Sequence, residues 1–257
     1  MFAQLGERPE RCASHGSFTS RGVRWPDKPG REVWSVCPAC EAERRAAEEA
    51  ERAAQAAAAR AADRERRLGE AGVPARFKSR NLDNFIADTD AKRRALTIAR
   101  DFAESFSDDK RGSGLILAGL PGTGKTHLAM GVLQALMHRH SVQYLTFLSL
   151  IRVVRETWRK DSERTERAVI RLLGEEIDLL VIDEIGATYG TEGEQTIMFD
   201  VLDRRYAAMR PTILLTNQDK AGFKQFVGDR VFDRLVETSR WVPFDWPSYR
   251  AAARSAA

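Results

Sequence analysis

The chain has 257 residues, with 41 basic and 37 acidic side chains for a formal net charge of +4, and 43% of its residues are hydrophobic. That length accommodates one ordinary domain with an appendage, and the apolar fraction suffices for a buried core. The near balance of charge excludes a polycationic nucleic-acid coat or an acidic disordered tail; with no apolar run near the roughly 18–20 residues that span a bilayer and no signal-peptide core at the start, a soluble cytoplasmic protein is expected.

Residues 1–40 are rich in Gly, Pro and Arg and show little helical or strand periodicity. They read as a small, loop-dominated unit that needs a staple to close. All three cysteines lie here, and an odd count argues against a disulfide framework. Cys12-Ala-Ser-His15 and Cys37-Pro-Ala-Cys40 each place two residues between ligands, a spacing that presents both side chains to one tetrahedral ion. A structural Zn²⁺ held by Cys12, His15, Cys37 and Cys40 is expected; three reduced thiols and a surface histidine are the alternative.

The next segment, 41–72, is of another kind. Glu41–Arg67 holds twelve Ala, seven Arg and seven acidic residues, with no Gly or Pro. Such a composition favours helix, with Glu48–Arg52 and Asp63–Arg67 at i,i+4 spacing, over roughly 40 Å. Without Leu or Ile at heptad positions it is a poor coiled coil. It reads as a solvated spacer helix, with a packing or partner helix as the alternative, broken by Gly69 and Gly72-Val73-Pro74.

From Val73 to the end, 73–257, helical stretches (91–106, 126–138) alternate with short apolar runs at 115–118, 144–148, 179–182 and 213–215. Runs of that length between helices predict strands of a parallel sheet buried on both faces, an α/β layered domain.

Gly119-Leu-Pro-Gly-Thr-Gly-Lys125-Thr126 matches G-x-x-x-x-G-K-[ST] between a strand and a helix. The loop residues Gly119, Pro121, Gly122, Thr123 and Gly124 let backbone N–H groups turn inward at phosphate oxygens. Lys125 would neutralise the β- and γ-phosphates of ATP, and the Thr126 hydroxyl would sit on Mg²⁺. His127 is counted with these residues by position, while its imidazole, like those of His138 and His140, shows no ligand spacing and reads as an ordinary helix residue. About sixty residues on, an apolar strand ends in Asp183-Glu184. Asp183 would hold the magnesium and Glu184 would polarise the attacking water, which points to hydrolysis. The run ending Leu214-Leu-Thr-Asn217 would bring Asn217 near the γ-phosphate, to orient that water.

The order of these motifs resembles the AAA+ ATPases. Gly72-Val-Pro-Ala-Arg-Phe77 with Leu82-Asp-Asn-Phe85 resembles the lead-in of DnaC-type replicative helicase loaders and the related IstB transposition ATPases. Asp203-Arg-Arg-Tyr206, Arg210-Pro-Thr212, Gly228-Asp-Arg230-Val-Phe-Asp-Arg234-Leu235 and Phe244-Asp-Trp246-Pro-Ser-Tyr249-Arg250 are similar to the DnaC branch. The resemblance implies an AAA+ P-loop NTPase core that hydrolyses ATP. It also implies that the amino-terminal region binds a hexameric, DnaB-type replicative helicase for delivery to single-stranded DNA. Arg230 falls where these proteins place an arginine finger acting in trans, with Arg234 a second phosphate-sensing arginine; the two roles are exchangeable at this level, and a surface ion pair with Asp229 or Asp233 is the plain alternative. A trans finger implies head-to-tail self-association. A transposition ATPase that positions a transposase on DNA is the runner-up.

Between the second apolar run and Asp183, residues 152–171 carry seven bases and four acids. Arg152, Arg155 and Arg159 at i, i+3 and i+7, with Trp158 beside them, suit single-stranded DNA and equally suit a solvated helix face. Tyr189 is a further candidate for the same surface.

Overall fold

The computed structural model describes residues 3–25, 32–106, 113–187 and 191–249. The chain divides into two compact units, Met1–Arg64 and Glu65–Ala257.

In the first unit, β1 (Ala3–Cys12), β2 (Gly16–Arg24) and β3 (Glu32–Trp34) form an antiparallel sheet in the order β1-β2-β3. This corrects the expectation of a loop-dominated unit. No apolar alternation marks these strands, because β1 is exposed almost throughout and the inner face of β2 buries only the small residues Ser20 and Gly22. The register of β1 on β2 shifts once, between Gln4 and Gly6, and then runs to the hairpin, where Cys12 pairs with Gly16. The ring of Trp34 lies against Gly22, where any Cβ would stand 2.8 Å from it, and the Arg8 guanidinium covers the ring at 3.9 Å.

Helix α1 (Pro38–Glu70) begins with proline at its first position, where the missing N–H costs nothing. Within it only Leu68 is buried. The alanine-rich middle is solvated, and ion pairs join Arg45 to Glu41, Arg44 to Glu48 and Arg66 to Glu70. Gly69 stays inside the helix; the break comes at Gly72, whose φ of 73° is open to glycine without strain.

The second unit continues with α2 (Asp90–Glu104), β4 (Gly114–Gly119), α3 (Lys125–Leu136), β5 (Val142–Thr146), α4 (Phe147–Glu156), α5 (Glu166–Arg171), β6 (Leu179–Ile185), α6 (Glu192–Ala207), β7 (Thr212–Thr216), α7 (Lys220–Val227), α8 (Asp229–Thr238) and β8 (Ser239–Phe244). Five strands pair in the order β5-β6-β7-β4-β8, all parallel. Alternate strand residues feed two cores. Leu115, Leu117, Val181 and Leu215 pack with α2 and α3, whereas Ile116, Ile182 and Leu214 pack with α4 to α8. The result is a three-layer α/β/α arrangement.

Two strand expectations change. The run 144–148 is a strand only to Thr146, whose side chain caps α4 by accepting from the Ser149 N–H, so Phe147 and Leu148 are helical. Strand β8 lacks a clear apolar run because it is an edge strand that opens on Ser239-Arg240 and carries Pro243. Among the described residues, no helix is long and apolar enough to cross a membrane.

Arg205 of α6 is the largest fully buried side chain. Its guanidinium donates to the carbonyls of Leu173 (2.6 Å), Ile177 (3.0 Å), Asp178 (3.1 Å) and Pro211 (2.5 Å) and to Thr212 Oγ1 (2.8 Å). It thereby joins the approaches to β6 and β7 and fixes where both strands start. Arg205→Leu removes a donor from four carbonyls, of which Pro211 O keeps only the long Leu180 N–H contact at 3.5 Å, and urea denaturation should show a loss of about 3 kcal/mol or more.

Candidate functional site

Parallel strands ending at one edge of a sheet bring their following loops together. β4, β7 and β6 are successive neighbours, so the loop 119–124, Asn217 and Asp183 converge there. The loop curls because Gly119, Gly122 and Gly124 take φ of 151°, 82° and 99°, values closed to other residues without strain. Lys125, 7% exposed, opens α3, and its Nζ donates to Gly119 O (2.7 Å), Leu120 O (2.9 Å) and Asn217 Oδ1 (2.9 Å). One ammonium thus joins the ends of β4 and β7.

Asp183 is buried and Glu184 exposed. The separation comes from a bulge: Ile182 pairs with Leu214, but Ile185 pairs with Thr216, so β6 carries one extra residue. Glu184 takes φ of 62° there, a conformation that costs on the order of 1–3 kcal/mol. The bulged end is held by Thr216 Oγ1 donating to Ile185 O and Gln218 Nε2 donating to Gly186 O, both at 2.8 Å. Thr126 Oγ1 donates to Asp183 Oδ2 at 2.8 Å, and the Glu184 N–H donates to Asp183 Oδ1 at 2.7 Å. A hydroxyl and a carboxylate in contact offer the hard oxygen ligands that Mg²⁺ takes.

Tyr144 on β5 escaped the sequence reading. Its hydroxyl donates to Asp183 Oδ2 at 3.2 Å, and burial, then the Asp183 charge, pushes the phenol pKa up. It stood only as a residue of an apolar run, and pairing of β5 beside β6 is what aims it at the carboxylate.

His127 turns its imidazole to the lead-in: Nε2 contacts Asn84 Oδ1 at 2.8 Å and Asn81 O at 3.0 Å, and Phe85 meets the ring edge-on. Burial holds its pKa below the ordinary value. Its side chain anchors the lead-in to α3 and does not face Asp183.

Arg230 and Arg234 both reach Asp203, not Asp229 or Asp233. Arg234 pairs with it directly and lies over the Tyr206 ring, with its side chain 27% exposed. Arg230 is 68% exposed, stands 3.9 Å from the same carboxylate and lies over Phe199. Asp229 pairs with Lys224 instead.

The basic stretch does not form one helical face. α4 ends at Glu156, so Arg159 lies beyond the helix and pairs with Asp161, while Arg155 pairs with Glu194 and Arg171 with Glu176. Arg152, Lys160, Arg164 and Arg167 are exposed, as is Trp158, whose indole N–H donates to Glu166. Tyr189 lies outside the described residues.

In the first unit, the donor atoms of Cys12, His15, Cys37 and Cys40 all lie within 4.8 Å of one another. Cys12 and His15 bracket the β1–β2 turn, and Cys37 and Cys40 bracket the start of α1. His15 Nε2 meets Glu43 Oε1 at 3.0 Å, which leaves Nδ1 toward the thiols at 3.3 Å from Cys40 Sγ and 3.7 Å from Cys12 Sγ. Hydrogen bonds from the backbone at Ser14 and His15 push the Cys12 thiol down to about 6. The hydrogen bond with Cys12 pushes Cys40 up to about 11. Four soft or borderline donors with an oriented imidazole fit a tetrahedral Zn²⁺.

The family model for IstB-like ATP binding proteins matches residues 50–257. The chain is 34% identical over 192 residues to the replicative helicase loader DnaC of Buchnera aphidicola subsp. Schizaphis graminum, covering 74% of this chain and 77% of that one. It is 33% identical over 189 residues to the replicative helicase loader DnaC of Escherichia coli (strain K12), covering 73% and 76%. A crystal structure of the DnaC helicase loader superposes on 66% of this chain and 99% of that one, with a TM-score of 0.59 at 23% identity. Replication initiator DnaA bound to AMPPCP and single-stranded DNA superposes on 68% of this chain and 51% of that one, at 0.57 and 20%. These two superpositions establish likeness of fold.

Tyr144→Phe removes one donor to Asp183 and leaves the ring. The Mg²⁺ concentration that half-saturates nucleotide binding should rise about fivefold, read by titrating metal against a fluorescent ATP analogue, with little change in melting temperature.

Proposed function

From the premise that the chain belongs to the DnaC/IstB-like family of AAA+ ATP-binding proteins, we propose that it is an ATP-hydrolysing loader that delivers a hexameric replicative helicase onto single-stranded DNA. The observation that carries the ATP reading is the meeting of Lys125, Thr126, Asp183 and Asn217 at the ends of three adjacent strands. ATP supplies the phosphoryl group and Mg²⁺ the charge that offsets its oxygens. Lys125 answers phosphate charge, Thr126 and Asp183 hold the metal, and Asn217 orients water. Glu184, exposed beside Asp183, is the carboxylate available to take a proton from that water. Hydrolysis drives release or remodelling of the partner.

The loader reading is supported by relatives at 33–34% identity that carry that name. The proposed functional division is a Zn²⁺-bearing unit over 1–40, a linker over 41–72 that holds most of α1, and the ATPase domain over 73–257, with the first two segments supplying the helicase contact. The exposed bases Arg152, Lys160, Arg164 and Arg167, with the Trp158 ring, supply the surface for single-stranded DNA. The trans role is proposed for Arg230, a reading supported by its exposure and by Arg234 being held by Asp203 and Tyr206 of its own chain.

Co-purification with the host replicative helicase under ATP is expected, and capture of a transposase in its place would overturn the loader reading. Arg230→Ala should retain ATP binding and lose at least about tenfold of stimulated hydrolysis; unchanged turnover would refute the assignment. Freshly purified protein should contain one Zn²⁺ per chain by metal analysis, and Cys37→Ser should remove it.

A further inference from the structure

The loop that receives phosphate is usually credited to its own glycines. Here a second segment reaches it from far along the chain. Trp246 Nε1 donates to Thr123 O at 2.8 Å, and the Tyr249 N–H donates to Gly122 O at 3.0 Å. Both acceptors lie in the phosphate loop, and both donors lie just past β8.

β8 pairs with β4 through to Phe244 opposite Gly119. The approach is close enough that a Cβ on Gly119 would stand 2.2 Å from Phe244 O, so only glycine admits it. Phe244 then packs on Trp246 with ring centroids 4.7 Å apart, and both rings are buried. The indole is therefore held in place before it meets the loop.

The consequence follows from the planarity of the peptide. In a trans peptide the C=O of one residue and the N–H of the next point in opposite directions, and the described residues contain no cis bond. Holding Gly122 O toward the tail turns the Thr123 N–H away from it, and holding Thr123 O does the same for the Gly124 N–H. Two successive donors are thus aimed at the side where a phosphate cradle needs them. Thr123 Oγ1 donating to Leu120 O at 2.8 Å closes the loop on itself, but that bond does not orient these two peptides.

We propose that Trp246 and the backbone of Tyr249 are positioning groups for the phosphate loop: the segment after β8 presets the N–H cradle for a nucleoside polyphosphate. The proposal rests on the ATP reading above and deepens it. A preset cradle binds more tightly because the loop has no alternative peptide orientations to give up on binding.

The test uses full-length protein. Trp246→Phe keeps an aromatic ring and removes the indole N–H. Tyr249→Pro removes the backbone N–H at an exposed side chain, and Tyr249→Ala keeps it. Each is titrated with a fluorescent ATP analogue in Mg²⁺, with adenosine as competitor and with the melting temperature recorded. Trp246→Phe and Tyr249→Pro should each weaken binding of the ATP analogue about three- to tenfold. Tyr249→Ala and the adenosine competition should match the unsubstituted protein. Unchanged affinity in the first two variants, or an equal loss for adenosine, would overturn the brace while leaving ATP binding in place. Absence of ATP binding in the unsubstituted protein would overturn the nucleotide reading and the brace with it.

Discussion

Parallel strands hydrogen-bonded side by side end at one edge of their sheet, and most of the chemistry of the second unit follows from that constraint. With β6, β7 and β4 adjacent, residues as distant in the chain as Lys125 and Asn217 come within 2.9 Å, and Thr126 comes within 2.8 Å of Asp183. β5 and β8 then flank this trio and add what the central strands lack. β5 supplies the Tyr144 phenol to Asp183, and β8 leads Trp246 and Tyr249 to the phosphate loop.

The polar groups at that edge are also the ones that would be costly to bury unpaired. Lys125 is satisfied by two loop carbonyls and an amide, and both oxygens of Asp183 accept hydrogen bonds. The opposite approach to the sheet uses the same solution at another place, where Arg205 saturates carbonyls before β6 and β7. Between these two anchored ends the strands are wholly apolar. The bulge at Asp183-Glu184 departs from this, and it separates two adjacent carboxylates into a buried group beside Thr126 and an exposed one.

The first unit obeys a different economy. Its strands bury almost no apolar side chains, so backbone pairing and side-chain anchors hold what an apolar core would otherwise hold. Arg8 over Trp34, Ser20 Oγ donating to Ser35 O at 2.7 Å, and the Cys12–His15–Cys37–Cys40 cluster serve as those anchors.

Local chemistry was legible in the sequence. The glycines and Lys125-Thr126 of the loop after β4, the carboxylates ending an apolar run, the alanine-rich helix and the paired Cys and His positions are each visible within a few residues, because backbone freedom, charge and helix propensity act at that range. The α/β class followed from apolar runs of strand length between helices. What tertiary structure alone decided were the contacts whose partners share no local pattern. Tyr144 and Asp183 meet only because β5 pairs with β6, and Trp246 meets Thr123 only because β8 pairs with β4. The amino-terminal strands needed the folded chain to be seen, since strands that bury no large apolar side chains leave no apolar period in the sequence. Arg230 and Arg234, one turn apart on α8, differ in exposure only in the folded chain, where Asp203 and the aromatic rings of α6 enclose Arg234 more deeply.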